Sequence, residues 1–147
     1  RRDALKTTGA FASLVAMGIV TQSQAHAAID RASFEVKTLA DALKALGGTP
    51  ANSDQVTVIA PDIAENGAVV PIGASSKLPN TTEIFLVVEK NPMPLAAGFT
   101  IPAGTVPEVS TRLKMGQSSN VIAVVKADGK LYSATKETKV TLGGCGG

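Results

Sequence analysis

The chain of 147 residues ends Gly143-Gly144-Cys145-Gly146-Gly147, and that pentapeptide holds its one cysteine. A thiol can serve as a nucleophile, a metal ligand, a half of a disulfide or an attachment point for a covalent cargo. A lone cysteine is ordinarily a small buried hydrophobe. Its four glycine neighbours argue against burial here, because glycine has no side chain to pack and the most backbone freedom to lose, and chain ends order only when tied down. Fully extended, the five residues reach roughly 16 to 18 Å, with Cys145 about 10 Å beyond the last strand residue. Such a segment describes a flexible arm with a thiol near its tip, thin enough to enter a narrow cleft in another protein.

The rest of the sequence limits what that thiol does. An unassisted thiol titrates near about 8.5 and is a small fraction thiolate at neutral pH. The nearest charged residues in sequence are Glu137 and Lys139, and the only histidine, His26, lies in a segment read below as a removable leader. Without it no Ser-His or Cys-His pair forms and no histidine-based metal site can be built. A thiol oxidoreductase would want a second cysteine or an activating base. The residues therefore point to a thiol that other proteins modify, with no catalytic residue, no metal ligand and no cofactor of its own.

Residues 1–27 have the order of an export signal: Arg1, Arg2 and Lys6, then an apolar run from Gly9 to Val20, then Ala25-His26-Ala27 as the cleavage site. The run supplies 12 residues, whereas a membrane span needs about 20. Arg1, Arg2, Leu5 and Lys6 match the twin-arginine pattern, with Ala4 where a Phe is usual. Removing the leader takes three of the 14 Lys and Arg and one of the 12 Asp and Glu, leaving 11 of each. The mature chain is formally neutral, without clustered cations, and its aromatics are Phe34, Phe85, Phe99 and Tyr132. Nucleic acid needs the first and stacking on bases the second, so it is not an expected partner. Nor is a membrane, once the leader is cleaved. The periplasm is the expected compartment.

The elements that must position Cys145 occupy residues 28–142. Thr38-Leu39-Ala40-Asp41 opens a helix with a Thr-x-x-Asp start signal, Leu39, Ala42, Leu43 and Leu46 follow on one helical face, and Gly47-Gly48 ends it. From Gln55 the pattern changes to short β-rich runs: Gln55 to Ala60, Ala68 to Ser75, Glu83 to Glu89, Val109 to Leu113, Val121 to Lys126, Leu131 to Thr135 and Thr138 to Leu142. The first two flank a loop with Pro61 and the turn dipeptide Asn66-Gly67, and Asp128-Gly129 makes a hairpin. Glu83 to Glu89 is continuously apolar inside, as suits a strand buried on both faces. Asn91-Pro92-Met93-Pro94-Leu95 must be a stiff connection. Seven short strands and one helix near the front predict an all-β, immunoglobulin-like antiparallel β-sandwich with one short N-terminal helix and a flexible C-terminal arm at residues 143–147. The cysteine and tryptophan hallmarks of antibody domains are absent, so the layout alone carries that expectation.

The tail Gly143-Gly144-Cys145-Gly146-Gly147, preceded by Lys139-Val140-Thr141-Leu142, resembles the C-terminal signature of the SoxY family of the periplasmic thiosulfate-oxidising system. The similarity extends through Leu39-Ala40-Asp41-Ala42-Leu43, Ala60-Pro61-Asp62-Ile63-Ala64-Glu65-Asn66-Gly67, Glu89-Lys90-Asn91-Pro92, Lys114-Met115-Gly116 and Ala123-Val124-Val125-Lys126. The resemblance implies a covalent carrier, with Cys145 bearing sulfur-oxidation intermediates and Gly143, Gly144, Gly146 and Gly147 keeping the arm thin. It further implies a SoxZ-like subunit as partner, a c-type cytochrome that loads thiosulfate, a hydrolase that releases sulfate and, where present, a sulfane dehydrogenase. Two other readings stand beside it. Cys145 could form an intermolecular disulfide in a structural sandwich, or the Gly146-Gly147 carboxylate could become a thiocarboxylate, a reading that export and the missing central helix disfavour.

Overall fold

The computed structural model describes residues 30–142, and the chain divides into two units between Asp30 and Arg31. The export signal expected at residues 1–27 and the arm at residues 143–147 lie outside the described residues. Among the described residues, no helix is long and apolar enough to cross a membrane.

A short 3-10 helix (Arg31–Glu35) leads into α1 (Leu39–Leu46). Thr38 is the N-cap: its Oγ1 accepts from the Asp41 amide at 3.1 Å, and Asp41 lies in the first turn, where the helix dipole favours a negative charge. Gly47 and Gly48 close the other end through amides bonded to Lys44 O and Leu43 O. Of the expected apolar stripe, Ala42 and Leu46 are buried and Leu39 and Leu43 half-buried.

Nine strands follow: β1 (Ala51–Asn52), β2 (Val56–Ile59), β3 (Ile63–Ala64), β4 (Val70–Ser76), β5 (Thr81–Val88), β6 (Leu95–Thr100), β7 (Glu108–Leu113), β8 (Ser119–Ala127) and β9 (Lys130–Val140). They form two sheets. The larger has the order β1-β9-β8-β5-β6 with β3 also on β9, and the smaller is β2-β4-β7. The long pairings are antiparallel, while the two-residue strands β1 and β3 run parallel to β9 near its start and its end. This is the expected sandwich, with strands the sequence did not announce. Leu95–Thr100 is rich in Ala and Gly, poor strand formers, and sits at a sheet edge. β1 and β3 are too short to show a period. The two runs expected at 131–135 and 138–142 are one continuous strand, β9.

Alternation along the strands divides the larger sheet between two faces. Ile84, Leu86 and Val88 of β5 and Val121, Ala123, Val125 and Ala127 of β8 face the smaller sheet, where they meet Val56, Val70, Ile72 and Ala74. Each large aliphatic side chain taken fully from water there contributes about 1.5–3 kcal/mol. Phe85, Val87 and Val124 point the other way and are nevertheless buried, the double burial expected for the Glu83 to Glu89 run. Just past the N-terminal helix the chain runs against the larger sheet: a Cβ on Gly47 would stand 3.5 Å from Leu131 of β9. Within the smaller sheet, a Cβ on Gly73 would come 2.4 Å from the Val109 carbonyl oxygen, so β4 and β7 approach as closely as they do only because that position is bare. The Asp128-Gly129 hairpin forms as expected, with both residues at positive φ, 51° and 73°, and Ala127 paired with Lys130 across it.

Candidate functional site

Cys145 and its four glycines lie outside the described residues, so the site is approached through the residues that hold the chain up to Leu142. β9 carries the chain there. It pairs with β8 from Lys130 to Thr138, and its last turn of sequence is gripped on the other edge by the segment Ala60–Gly67.

The grip is a ladder of bonds between two stretches far apart in sequence. Lys136 Nζ donates to Ala60 O at 2.6 Å, Thr138 Oγ1 to Pro61 O at 2.9 Å, and the Lys139 amide to Asp62 O at 2.9 Å. Ile63 and Ala64 then pair in parallel with Lys139 and Val140. The Thr141 amide donates to Ala64 O at 3.1 Å, Thr141 Oγ1 to Glu65 O at 3.3 Å, and the Gly67 amide to Leu142 O at 2.7 Å. Thr138 is fully buried, so its hydroxyl has no water to fall back on, and the bond to Pro61 is the kind whose loss is costly. The ion pair of Lys136 with Asp62, 3.0 Å, is solvent-exposed and adds little by itself.

The same end of the sandwich is closed by two further segments. Asn91 Nδ2 donates to Lys114 O at 2.7 Å and Asn91 Oδ1 accepts from the Gly116 amide at 3.4 Å, which ties the β5–β6 connection to the β7–β8 connection. That connection is held by its own backbone: the Val88 amide donates to Pro94 O at 2.8 Å, the Asn91 amide to Val88 O at 3.2 Å, and Pro94 is buried. The Met115 amide donates to Gly67 O at 2.7 Å with its side chain fully buried, and Ser118 Oγ accepts from the Val140 amide at 2.8 Å. Ser119 Oγ accepts from the Lys90 amide at 3.0 Å. Three of the segments that carry the family resemblance, 60–67, 89–92 and 114–116, thus converge on the end of the last strand. Read singly, the first two showed a turn and a proline connection. Asn66 does turn the chain, its Oδ1 accepting from the Ala68 amide at 2.9 Å, but the turn serves the grip on β9.

Chemically, this region holds a backbone and offers little else. Among the described residues no group of three or more His, Cys, Asp and Glu side chains is arranged to hold a metal ion. Among them, too, every buried side-chain nitrogen or oxygen has a partner. Surface hollows occur beside Thr81, Ile101 and Thr105 and beside Pro71 and Arg112, and neither is lined by a residue of β9.

Comparison with known proteins completes the picture. The family described as Sulfur oxidation protein SoxY matches residues 42–145, which includes the cysteine. Among solved structures, the sulfur carrier protein SoxY from Chlorobium limicola f thiosulfatophilum superposes with a TM-score of 0.65 at 38% identity, covering 74% of this chain and 96% of that one. A superoxide reductase (neelaredoxin) from Ignicoccus hospitalis matches at a TM-score of 0.49 and 21% identity, over 58% of this chain and 80% of that one, and supports no functional argument. No curated protein sequence matches the chain.

Proposed function

The chain belongs to the SoxY family of sulfur oxidation proteins, whose members are sulfur carriers and not catalysts, and from that premise we propose that its cargo is bound covalently at Cys145. The observation that carries this reading is the placement of the chain's one cysteine three residues past Leu142, whose own backbone is bonded to the sandwich. A rigid root with a thiol just beyond it presents that thiol to other proteins without exposing the fold to them.

Loading joins the Cys145 sulfur to the sulfane sulfur of thiosulfate. Thiol and thiosulfate give an S-thiosulfonate adduct, one proton and two electrons, the electrons passing to a c-type cytochrome. A hydrolase then attacks the terminal sulfone sulfur with water, which releases sulfate and one proton and leaves a persulfide, S–SH, on Cys145. A sulfane dehydrogenase, where present, oxidises that remaining sulfur to the sulfonate with oxygen from three waters, passing six electrons to an electron-accepting partner protein, before a second hydrolysis. The carrier pairs with a SoxZ-like subunit in the periplasm. The order of charge, apolar run and small residues in 1–27 supports export there by the twin-arginine route, ahead of a carrier domain at 28–142 and an arm at 143–147.

The test is the intact mass of the mature protein from thiosulfate-fed cells, with and without reductant, beside the Cys145→Ser variant. Reductant-sensitive adducts of thiosulfonate or sulfur mass are expected on the wild type and none on the variant, with the two unfolding alike. An unmodified thiol, or a disulfide-linked dimer as the sole product, would replace this reading with that of a covalent structural dimer.

A further inference from the structure

Asn66-Gly67 is the chain's one Asn-Gly pair; Asn52, Asn80, Asn91 and Asn120 precede Ser, Thr, Pro and Val. In such a pair the glycine amide nitrogen can attack the side-chain carbonyl carbon of the asparagine, because no Cβ on the second residue blocks the approach. The N–Cγ bond forms, ammonia leaves with the amide proton, and a cyclic succinimide results. Water then opens the ring, at one carbonyl to aspartate and at the other to isoaspartate. The reaction needs no enzyme, metal or cofactor. It needs a glycine nitrogen free to lose its proton and a backbone free to bring that nitrogen against Cγ.

The fold withholds both. Asn66 is exposed to water, but the buried Gly67 donates its amide to Leu142 O at 2.7 Å. The Asn66 side chain is held by the Ala68 amide at 2.9 Å, and the Asn66 carbonyl by the Val69 amide at 3.3 Å. The nucleophile is thus the same nitrogen that fastens Leu142 to the sandwich. Attack requires that the Gly67–Leu142 bond open first, so the reaction runs from the open state, at a rate set by how often that state is visited. Its main product cannot close again in the same way. Isoaspartate routes the main chain through Cβ and lengthens the link between residues 66 and 67, and the new carboxylate stands next in sequence to exposed Glu65. Gly67 O also accepts from the Met115 amide at 2.7 Å, so displacing this one residue unfastens both the end of β9 and the β7–β8 connection. We propose that Asn66-Gly67 is a latent deamidation site gated by the Gly67–Leu142 bond, and that its conversion to isoaspartate releases Leu142 irreversibly. The proposal stands apart from the carrier reading, since it does not involve Cys145.

The experiment incubates the full chain at mildly alkaline pH, folded and in urea, and follows residue 66 by peptide mass and by isoaspartate detection. In urea Asn66 should convert at least tenfold faster than in the folded protein, and ahead of every other asparagine. That comparison depends on no variant. In the folded protein, Ser118→Ala removes the acceptor of the nearby Val140 amide and should speed conversion about fivefold. Gly129→Ala strains the hairpin at the opposite end, at φ 73°, and should leave the rate unchanged. In the isolated isoaspartate form, hydrogen exchange at the Gly67 and Met115 amides should rise at least tenfold while exchange at Asp128 is unaltered. Equal rates in the folded and urea-treated chains, or no conversion in either, overturn the proposal. Equal acceleration by the two variants makes global unfolding the route and removes the gating. An isoaspartate form that keeps Gly67 and Met115 protected refutes the release of Leu142.

Discussion

The two ends of the sandwich are built by different rules. At one, the chain reverses through Asp128-Gly129 and Asn80, three residues at positive φ, with Asn80 Nδ2 bonded to Asp128 Oδ1 at 2.8 Å between neighbouring turns and Thr82 Oγ1 to Lys126 O at 3.2 Å beside them. Each reversal there is encoded in the residues that make it. At the other end, where β9 finishes, the bonds join Val140 to Ser118, Thr138 to Pro61 and Lys136 to Ala60, partners 22, 77 and 76 residues apart. A local turn needs only to bring the chain back, whereas the end of β9 is supported by segments that come from distant parts of the sequence.

The difference can be tested one bond at a time. The largest effect is expected from Thr138→Val, which keeps the shape, removes the buried hydroxyl and leaves the Pro61 carbonyl short of a partner; a loss of about 1–3 kcal/mol in urea-unfolding stability is expected. A loss under a few tenths would mean that the grip is ornamental. At the turn end, Gly129→Ala forces a Cβ into the left-handed region at φ 73°, at a cost of roughly 1 kcal/mol read from the same unfolding curves. Its effect should stop at the hairpin, leaving exchange of the Gly67 and Thr141 amides unaltered. Ser118→Ala removes the acceptor of the Val140 amide and should cost about 1 kcal/mol, and it should speed hydrogen exchange at Val140 while sparing Asp128. Smallest is Lys136→Met, where an exposed ion pair is lost; thermal melts should move by less than the equivalent of about 1 kcal/mol, and less again in high salt.

The same contrast explains what could be read from the sequence. The Thr38 cap, the doubly buried Ile84–Val88 run and the Asp128-Gly129 hairpin are local signals and appear where their residues place them. Cys145 stood out because its neighbours are all glycine, again a local fact. The grip was not legible. β3 has two residues, Thr138 gives no sign in sequence that its hydroxyl will be buried against a carbonyl 77 positions away, and Asn91 reads as part of a proline connection until Lys114 and Gly116 are brought beside it. β6 was missed for another reason: an edge strand of Ala and Gly is made by its neighbour β5 and not by its own propensity.

β9 also has a mechanical consequence. Under the proposed carrier role, a partner that holds the thiol and then lets it go would load the chain at Leu142, just past the end of β9. That load passes into the nine residue pairs shared with β8, from Ser119 with Thr138 to Ala127 with Lys130, and into the flanking strands β1 and β3. Because the force runs parallel to the strands, the bonds resist together in shear and are not peeled one after another. A pull on Leu142 along β9 would thus be borne by the sandwich as a whole and not by its last few bonds.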